Sequence, residues 1–287
     1  MTPPHSSPRH AFVTVMDHEI HVTEWGTPGN PGLVMWHGLA RTGRDFDELA
    51  AALSEAFFVL CPDTIGRGLS SWSANPEAEY ALDHYARIAA DLIDQYGLAR
   101  VGWIGTSMGG LIGMRMASGP LAPRLAWLIV NDIGPELPQD AIDRILAYAD
   151  TTPDFASHSE AEAWFRAAYA PFGPADDRFW QRMARTSLRR RDDGRFTTHY
   201  DPAITVQFTA SPGDFTFWDR FERIALPTHL LRGESSDVLP AQTARRMTTT
   251  GPRPELTLYP DCGHAPSLAR PADADRIRAI IARLAAD

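Results

Sequence analysis

Long apolar runs are missing from this sequence. None approaches the roughly 20 residues that a membrane-spanning helix needs, so no membrane partner is expected. Cysteine is scarce, with 2 in 287 residues. Cys61 and Cys262 lie far apart, and two free thiols in a reducing compartment are the plain reading; one bridge between them is the alternative. Nowhere do Cys and His fall at zinc-ligand spacing, so no metal is expected. Positive charge is also short. Lys and Arg total 27 against 36 Asp and Glu, giving a formal net charge of −9. An acidic surface argues against a general nucleic-acid binder, although it leaves room for a local basic patch. The start of the chain lacks the charged residues and apolar core of a secretory signal. Residues 1–10, rich in Pro, Ser and His, read as a disordered leader, and the expected location is cytoplasmic. Internal repeats and long low-complexity tracts are absent too.

What remains is an ordinary globular composition, with 44% hydrophobic and 22% charged residues. That is enough to bury a sizeable core. Ala11 to Met16 and Ile20 to Trp25 alternate around Asp17-His18-Glu19, which predicts a hairpin. Leu33 to Trp36, Phe57 to Cys61, Val101 to Ile104 and Leu125 to Val130 are short continuous apolar runs. Such runs suit strands buried on both faces. Pro227 to Leu231 and Glu255 to Tyr259 predict two more. Helical periodicity runs through Asp45 to Ser54, Tyr80 to Tyr96, Leu111 to Ala117, Pro240 to Met247 and Ala272 to Ala286. Strands alternating with helices predict an α/β fold with a mostly parallel sheet flanked by helices. The stretch 135–224 breaks this rhythm. It is aromatic-rich, mostly helical by pattern, and without a convincing buried strand. It predicts an inserted helical cap over the C-terminal edge of the sheet, leaving 11–134 and 225–287 as the core.

Gly105-Thr106-Ser107-Met108-Gly109 follows the strand at Val101 and precedes the helix at Leu111. It matches G-x-S-x-G, in which the nucleophile stands at the tip of a tight strand-to-helix turn. Small neighbours let strand and helix pass closely. The helix that begins there points its positive end at developing negative charge.

With that elbow, the chain resembles the α/β-hydrolase superfamily along nearly its whole length. The likeness also lies in Trp36-His37-Gly38-Leu39, in Pro62-Asp63-Thr64-Ile65-Gly66-Arg67-Gly68-Leu69-Ser70, in Arg232-Gly233-Glu234-Ser235-Ser236-Asp237, and in Gly263-His264. It implies a triad in the order Ser, Asp, His. Ser107 is the expected nucleophile. His264 is the expected base, since an imidazole titrates near neutrality. Asp237 is the expected acid, holding His264 in one tautomer. Some family members place the acid one strand earlier, where this chain has Asn131-Asp132; Glu234 is a third candidate. The oxyanion hole is expected from the backbone N–H groups of Met108 and, by the resemblance, Leu39. His37 is expected to shape its loop rather than react, and Asp63 to Ser70 to brace theirs. Arg189-Arg190-Arg191 reads as a solvated helix face, with binding of an acidic substrate group as the alternative.

The resemblance implies acyl transfer to water: a serine hydrolase acting on a small-molecule carboxylic ester or lactone through an acyl-enzyme, with no cofactor. Rival readings are a carbon–carbon bond hydrolase of ring-cleavage diketones, an acyltransferase or perhydrolase on the same triad, and a non-catalytic ligand receptor. Oligomeric state cannot be read from these residues.

Overall fold

The alternating hairpin residues form β1 (Arg9–Val15) and β2 (His18–Trp25), paired antiparallel. The apolar runs form β3 (Gly32–Trp36), β4 (Phe58–Pro62), β5 (Val101–Thr106) and β6 (Leu125–Asn131). These residues are almost all buried, as strands covered on both faces must be. The computed structural model describes residues 7–149 and 152–286. Between β3 and β6 run α1 (Asp47–Leu53), α2 (Pro76–Glu79), α3 (Leu82–Gln95) and α4 (Met108–Ala117).

The stretch after β6 holds α5 (Gln139–Ala149), β7 (Asp154–Phe155), α6 (His158–Ala168), α7 (Asp177–Thr186), β8 (Leu188–Arg190), β9 (Phe196–Thr198), α8 (Gln207–Ala210) and α9 (Trp218–Phe221). The chain then returns as β10 (Thr228–Gly233), α10 (Ala241–Met247), β11 (Glu255–Tyr259) and α11 (Pro271–Leu284). Eight strands form one sheet in the order β1-β2-β4-β3-β5-β6-β10-β11, with every pair parallel from β4 to β11. One apolar layer joins one face of the sheet to α3 and α4. A second joins the other face to α1 and α11.

This order fixes where a ligand can sit. From β3 the chain winds outward to β4, then crosses back to β5 on the other side of β3. The loops leaving the carboxyl ends of β3 and β5 therefore diverge, and a crevice opens between them, as in other open α/β sheets. His37-Gly38-Leu39 and Ser107-Met108 occupy those two loops.

Three expectations need correcting. The stretch between β6 and β10 contains a three-stranded sheet, β7-β9-β8, where no strand was expected. Its strands are two or three residues long, too short to show a period. Within it, Arg189 and Arg190 lie in β8 rather than on a helix, and Arg191 opens the turn that closes on Arg195. Of the expected leader, residues 1–6 lie outside the described residues, whereas Arg9 and His10 begin β1 and pair with β2. Cys61 and Cys262 are both buried and free, in line with two thiols rather than a bridge. No described helix is long and apolar enough to cross a membrane.

Candidate active site

Ser107 stands between β5 and α4 with φ 52° and ψ −117°. This left-handed backbone is strained for a side-chain-bearing residue. Its neighbours make the turn feasible. A Cβ on Gly105 would strike the Gly109 carbonyl, and one on Gly109 would strike the Trp36 carbonyl. Strand, helix and the β3 loop thus approach more closely than any alanine would permit. The Ser107 N–H donates to Asn131 O (2.9 Å), tying the turn to the end of β6.

His264 lies in the loop after β11. The Gly263 N–H donates to Pro171 O (2.7 Å), and Cys262 O accepts from the Ser235 N–H and hydroxyl (2.9 Å each). The loop is held from two sides, which fixes the ring. His264 Nε2 is 2.9 Å from Ser107 Oγ. Its Nδ1 is 2.8 Å from Asp132 Oδ2. A carboxylate only accepts, so the proton sits on Nδ1, and Nε2 offers a lone pair to the serine hydroxyl.

Asp237, expected as the acid, is not beside His264. It lies beyond β10 on the surface, half-exposed, and pairs with Arg144 at 2.7 Å. Asp132, at the end of the neighbouring strand β6, takes that place. It is fully buried and completely hydrogen-bonded. Oδ1 accepts from the Gly233 N–H (2.8 Å), and Oδ2 accepts from Ser236 Oγ (2.6 Å) as well as from His264. The physical reason is reach. Asp132 follows directly on a strand next to the one that leads into Ser107, whereas Asp237 is four residues past the end of β10 and turned outward. Glu234 also stays exposed.

His37 is a locked, neutral histidine. Its Nε2 accepts from the Thr64 N–H (2.9 Å), so Nδ1 carries the proton and donates to Gly38 O (2.7 Å). Complete burial pushes its pKa down to about 4. The Gly38 carbonyl also accepts from the Arg41 N–H (3.2 Å). In a trans peptide the next N–H points the opposite way. Fixing the Gly38 carbonyl therefore fixes the direction of the Leu39 N–H. Gly38 itself packs against Ser107: a Cβ built on it would stand 3.6 Å from Ser107 Cβ.

Sequence reasoning missed what Arg67 does. It is fully buried, donates from Nε to Leu39 O (2.8 Å), and reaches Met108 Sδ with Nη2 (3.5 Å). One guanidinium thus braces both residues expected to line the oxyanion hole. Asp63 anchors the same loop, accepting from His21, Gly43 and Leu69. Burial alone would raise its carboxyl, but His21 and the backbone donor outweigh it and hold the pKa low. The only sequence signal for these roles was the Gly-flanked charged pair itself.

A cavity of about 220 Å³ opens on Ser107, Leu39, Met108 and His264. Its walls come from the core (Leu82, Leu111) and from the stretch between β6 and β10 (Trp164, Phe172, Phe208, Phe215). The lining is mostly apolar, with polar side chains such as Arg41, Gln207 and Ser267 among it, which suits an acyl chain. Away from it, His18, Glu79 and His84 come together with ligand atoms within 4.8 Å. Arg87 Nη2 approaches His84 Nδ1 at 3.4 Å, and Ser73 donates to Glu79 (2.5 Å). A metal on His84 Nε2 would require a proton on Nδ1, facing that arginine. The cluster therefore fits its own hydrogen bonds better than an ion.

Comparison with known proteins bears on these features. The sequence model of the Alpha/beta hydrolase family matches residues 33–274. A 3-hydroxybutyrate-oligomer hydrolase of Cupriavidus necator is 38% identical over 281 residues, 93% of this chain and 95% of that one. The crystal structure of an alpha/beta hydrolase from Novosphingobium aromaticivorans is 32% identical, with a TM-score of 0.85 over 97% of this chain and 99% of the other. An E-2-(acetamidomethylene)succinate hydrolase also gives a TM-score of 0.85, over 96% of this chain and 100% of that one; at 22% identity it speaks for the fold alone. The match over most of the chain, with the eight-stranded sheet and the strained serine turn, means that this protein belongs to the alpha/beta hydrolase family.

Proposed function

We propose that this protein is a serine esterase that cleaves small carboxylic esters through an acyl-enzyme. The observation that carries the reading is the unbroken hydrogen-bond chain Asp132–His264–Ser107 at the mouth of an apolar cavity. In this mechanism His264 Nε2 takes the Ser107 proton as Oγ attacks the ester carbonyl. Asp132 holds the imidazole in the tautomer that leaves Nε2 free, and stabilises the imidazolium that forms. The N–H groups of Leu39 and Met108 receive the oxyanion. His264 then protonates the departing alcohol, and a water activated the same way releases the acid. The residues 135–224 act as a cap that walls the acyl pocket. The relative from Cupriavidus necator, similar over nearly the full length, supports an oligomer of a short hydroxy acid as the substrate class.

The test is labelling with an alkyl fluorophosphonate. One adduct, on Ser107, is expected, and Ser107→Ala should lower turnover of nitrophenyl butyrate by about 10⁴-fold or more. An adduct on another residue, or none on the folded protein, would overturn the assignment.

A further inference from the structure

Among the polar side chains that line the cavity and that the proposed chemistry leaves unused, Arg41 is the one nearest Gly38 and the oxyanion loop. Arg41 follows the oxyanion loop, lines the cavity, and is 4% exposed. Its Nε and Nη2 donate to the two oxygens of Asp45 (2.8 and 2.6 Å). That pair occupies one edge of the guanidinium fork. Nη1, on the other edge, is buried without a well-formed hydrogen bond; besides Asp45, the guanidinium interacts only with the Tyr169 side chain as an acceptor. The rings of Tyr169 and Phe165 lie 4.7 and 5.5 Å from the guanidinium carbon, so the group is held in position from the side. Burial disfavours the charge, but Asp45 outweighs it and Arg41 stays protonated. A buried N–H pair short of an acceptor is destabilising. A cavity lined by a residue with such a group is suited to a ligand that supplies the acceptor.

The position says which part of the ligand that is. A Cβ built on Gly38 would stand 3.6 Å from Ser107 Cβ and 3.8 Å from Arg41 Cγ, so the two side chains flank the same point. The guanidinium carbon is three bonds beyond Cγ. In an ester of a 3-hydroxy acid, the carboxylate carbon of the leaving unit lies four bonds from the reacting carbonyl carbon, roughly 5 Å away when extended. The two lengths are comparable. A carboxylate also matches a guanidinium edge with two parallel N–H donors, as a lone carbonyl does not.

We propose that Arg41 anchors a free carboxylate on the leaving-group side of the ester, so that the enzyme takes acidic oligomers of short hydroxy acids and trims them from the carboxyl end. The inference rests on the esterase reading for its cleavage step. The terminal ester C–O bond breaks and the shortened acyl chain passes to Ser107 Oγ. The freed oxygen takes its proton from His264 and leaves as the monomeric hydroxy acid, and water then releases the chain from Ser107. Asp45 already balances the charge of Arg41, which sets the gain at the low end for a charge-assisted pair, about tenfold in affinity.

The test compares the 3-hydroxybutyrate dimer with its methyl ester, by calorimetric binding to Ser107→Ala. The free acid should bind about tenfold more tightly, and Arg41→Gln added to that variant should bring the two ligands to similar affinity. Equal affinities before the second substitution, or a preference that survives it, would overturn the anchor. Should Arg41→Gln not fold, the comparison in Ser107→Ala decides alone. Turnover is scored separately, using a trimer isotopically labelled in its carboxyl-terminal unit with the wild-type enzyme. Labelled monomer released first supports trimming, and labelled dimer first refutes it. If the acid is preferred in binding but no ester is cleaved, the esterase reading fails while the anchor stands.

Discussion

Replacing Asp132 by Asn changes one atom, and its consequence can be worked through from the hydrogen bonds. All three neighbours of the carboxylate donate to it: the Gly233 N–H to Oδ1, and Ser236 Oγ and His264 Nδ1 to Oδ2. An amide has one accepting end and one donating end. If its NH₂ faces Gly233, it meets a backbone N–H that cannot turn away, and a buried donor is left unpaired. If the NH₂ faces the other side, Ser236 rotates its hydroxyl, and His264 moves its proton from Nδ1 to Nε2. The second arrangement is cheaper because both partners can adapt. It also disables the base, since Nε2–H then points at Ser107 Oγ, 2.9 Å away. Turnover should fall by about 10⁴-fold, or about 5.5 kcal/mol of transition-state stabilisation. Folding stability should fall by about 1–3 kcal/mol. Asp237→Asn breaks only a half-exposed pair with Arg144, worth about 0–1 kcal/mol, and should leave turnover within a few-fold. The assay is kcat for nitrophenyl butyrate, with urea unfolding as the control for stability. An Asp132→Asn enzyme retaining more than about a tenth of wild-type turnover would refute the reasoning. So would a loss beyond about 100-fold in Asp237→Asn.

Two further outcomes follow from the cavity and its loops. Across nitrophenyl esters from acetate to palmitate, rates should fall beyond about the octanoate, because the apolar cavity is finite and walled by Trp164 and Phe215; a rate that keeps rising, with activation at a triolein surface, would point to an open lid. His37 is depressed in the folded state from 6.5 to about 4, so the unfolded chain takes a proton that the folded one refuses. Its contribution to stability is present above pH 6.5 and is lost as pH falls towards 4, at about 1.4 kcal/mol per pH unit within that window. Urea unfolding at several pH values should show a shallower slope for His37→Gln, and equal slopes would contradict the buried, neutral assignment.

The linear order of residues was enough to determine the sheet, and the reason is local. Continuous apolar runs such as Leu33 to Trp36 and Val101 to Ile104 can only be satisfied by burial on both faces, which demands helices on each side of a parallel sheet. The serine turn was legible for a similar reason, because Gly105 and Gly109 are needed within a few residues of Ser107 itself. The short strands β7, β8 and β9 were not legible, since two or three residues carry no period and β7 finds its partner β9 about 40 positions further along the chain. The carboxylate partner of His264 was ambiguous because Asp132 and Asp237 each follow a strand at the same end of the sheet. Which one meets His264 depends on strand order and on the direction of a loop, and neither quantity is written in the spacing. The roles of Arg67 and Arg41 were hidden likewise. In sequence both are charges near glycines; in the folded chain one clasps Leu39 and Met108 while the other is buried with an N–H to spare. Short-range patterns decided the elements and the strained serine turn. Partners far apart along the chain, such as His264 and Asp132 at 132 residues, were decided only when the sheet brought their loops to one edge.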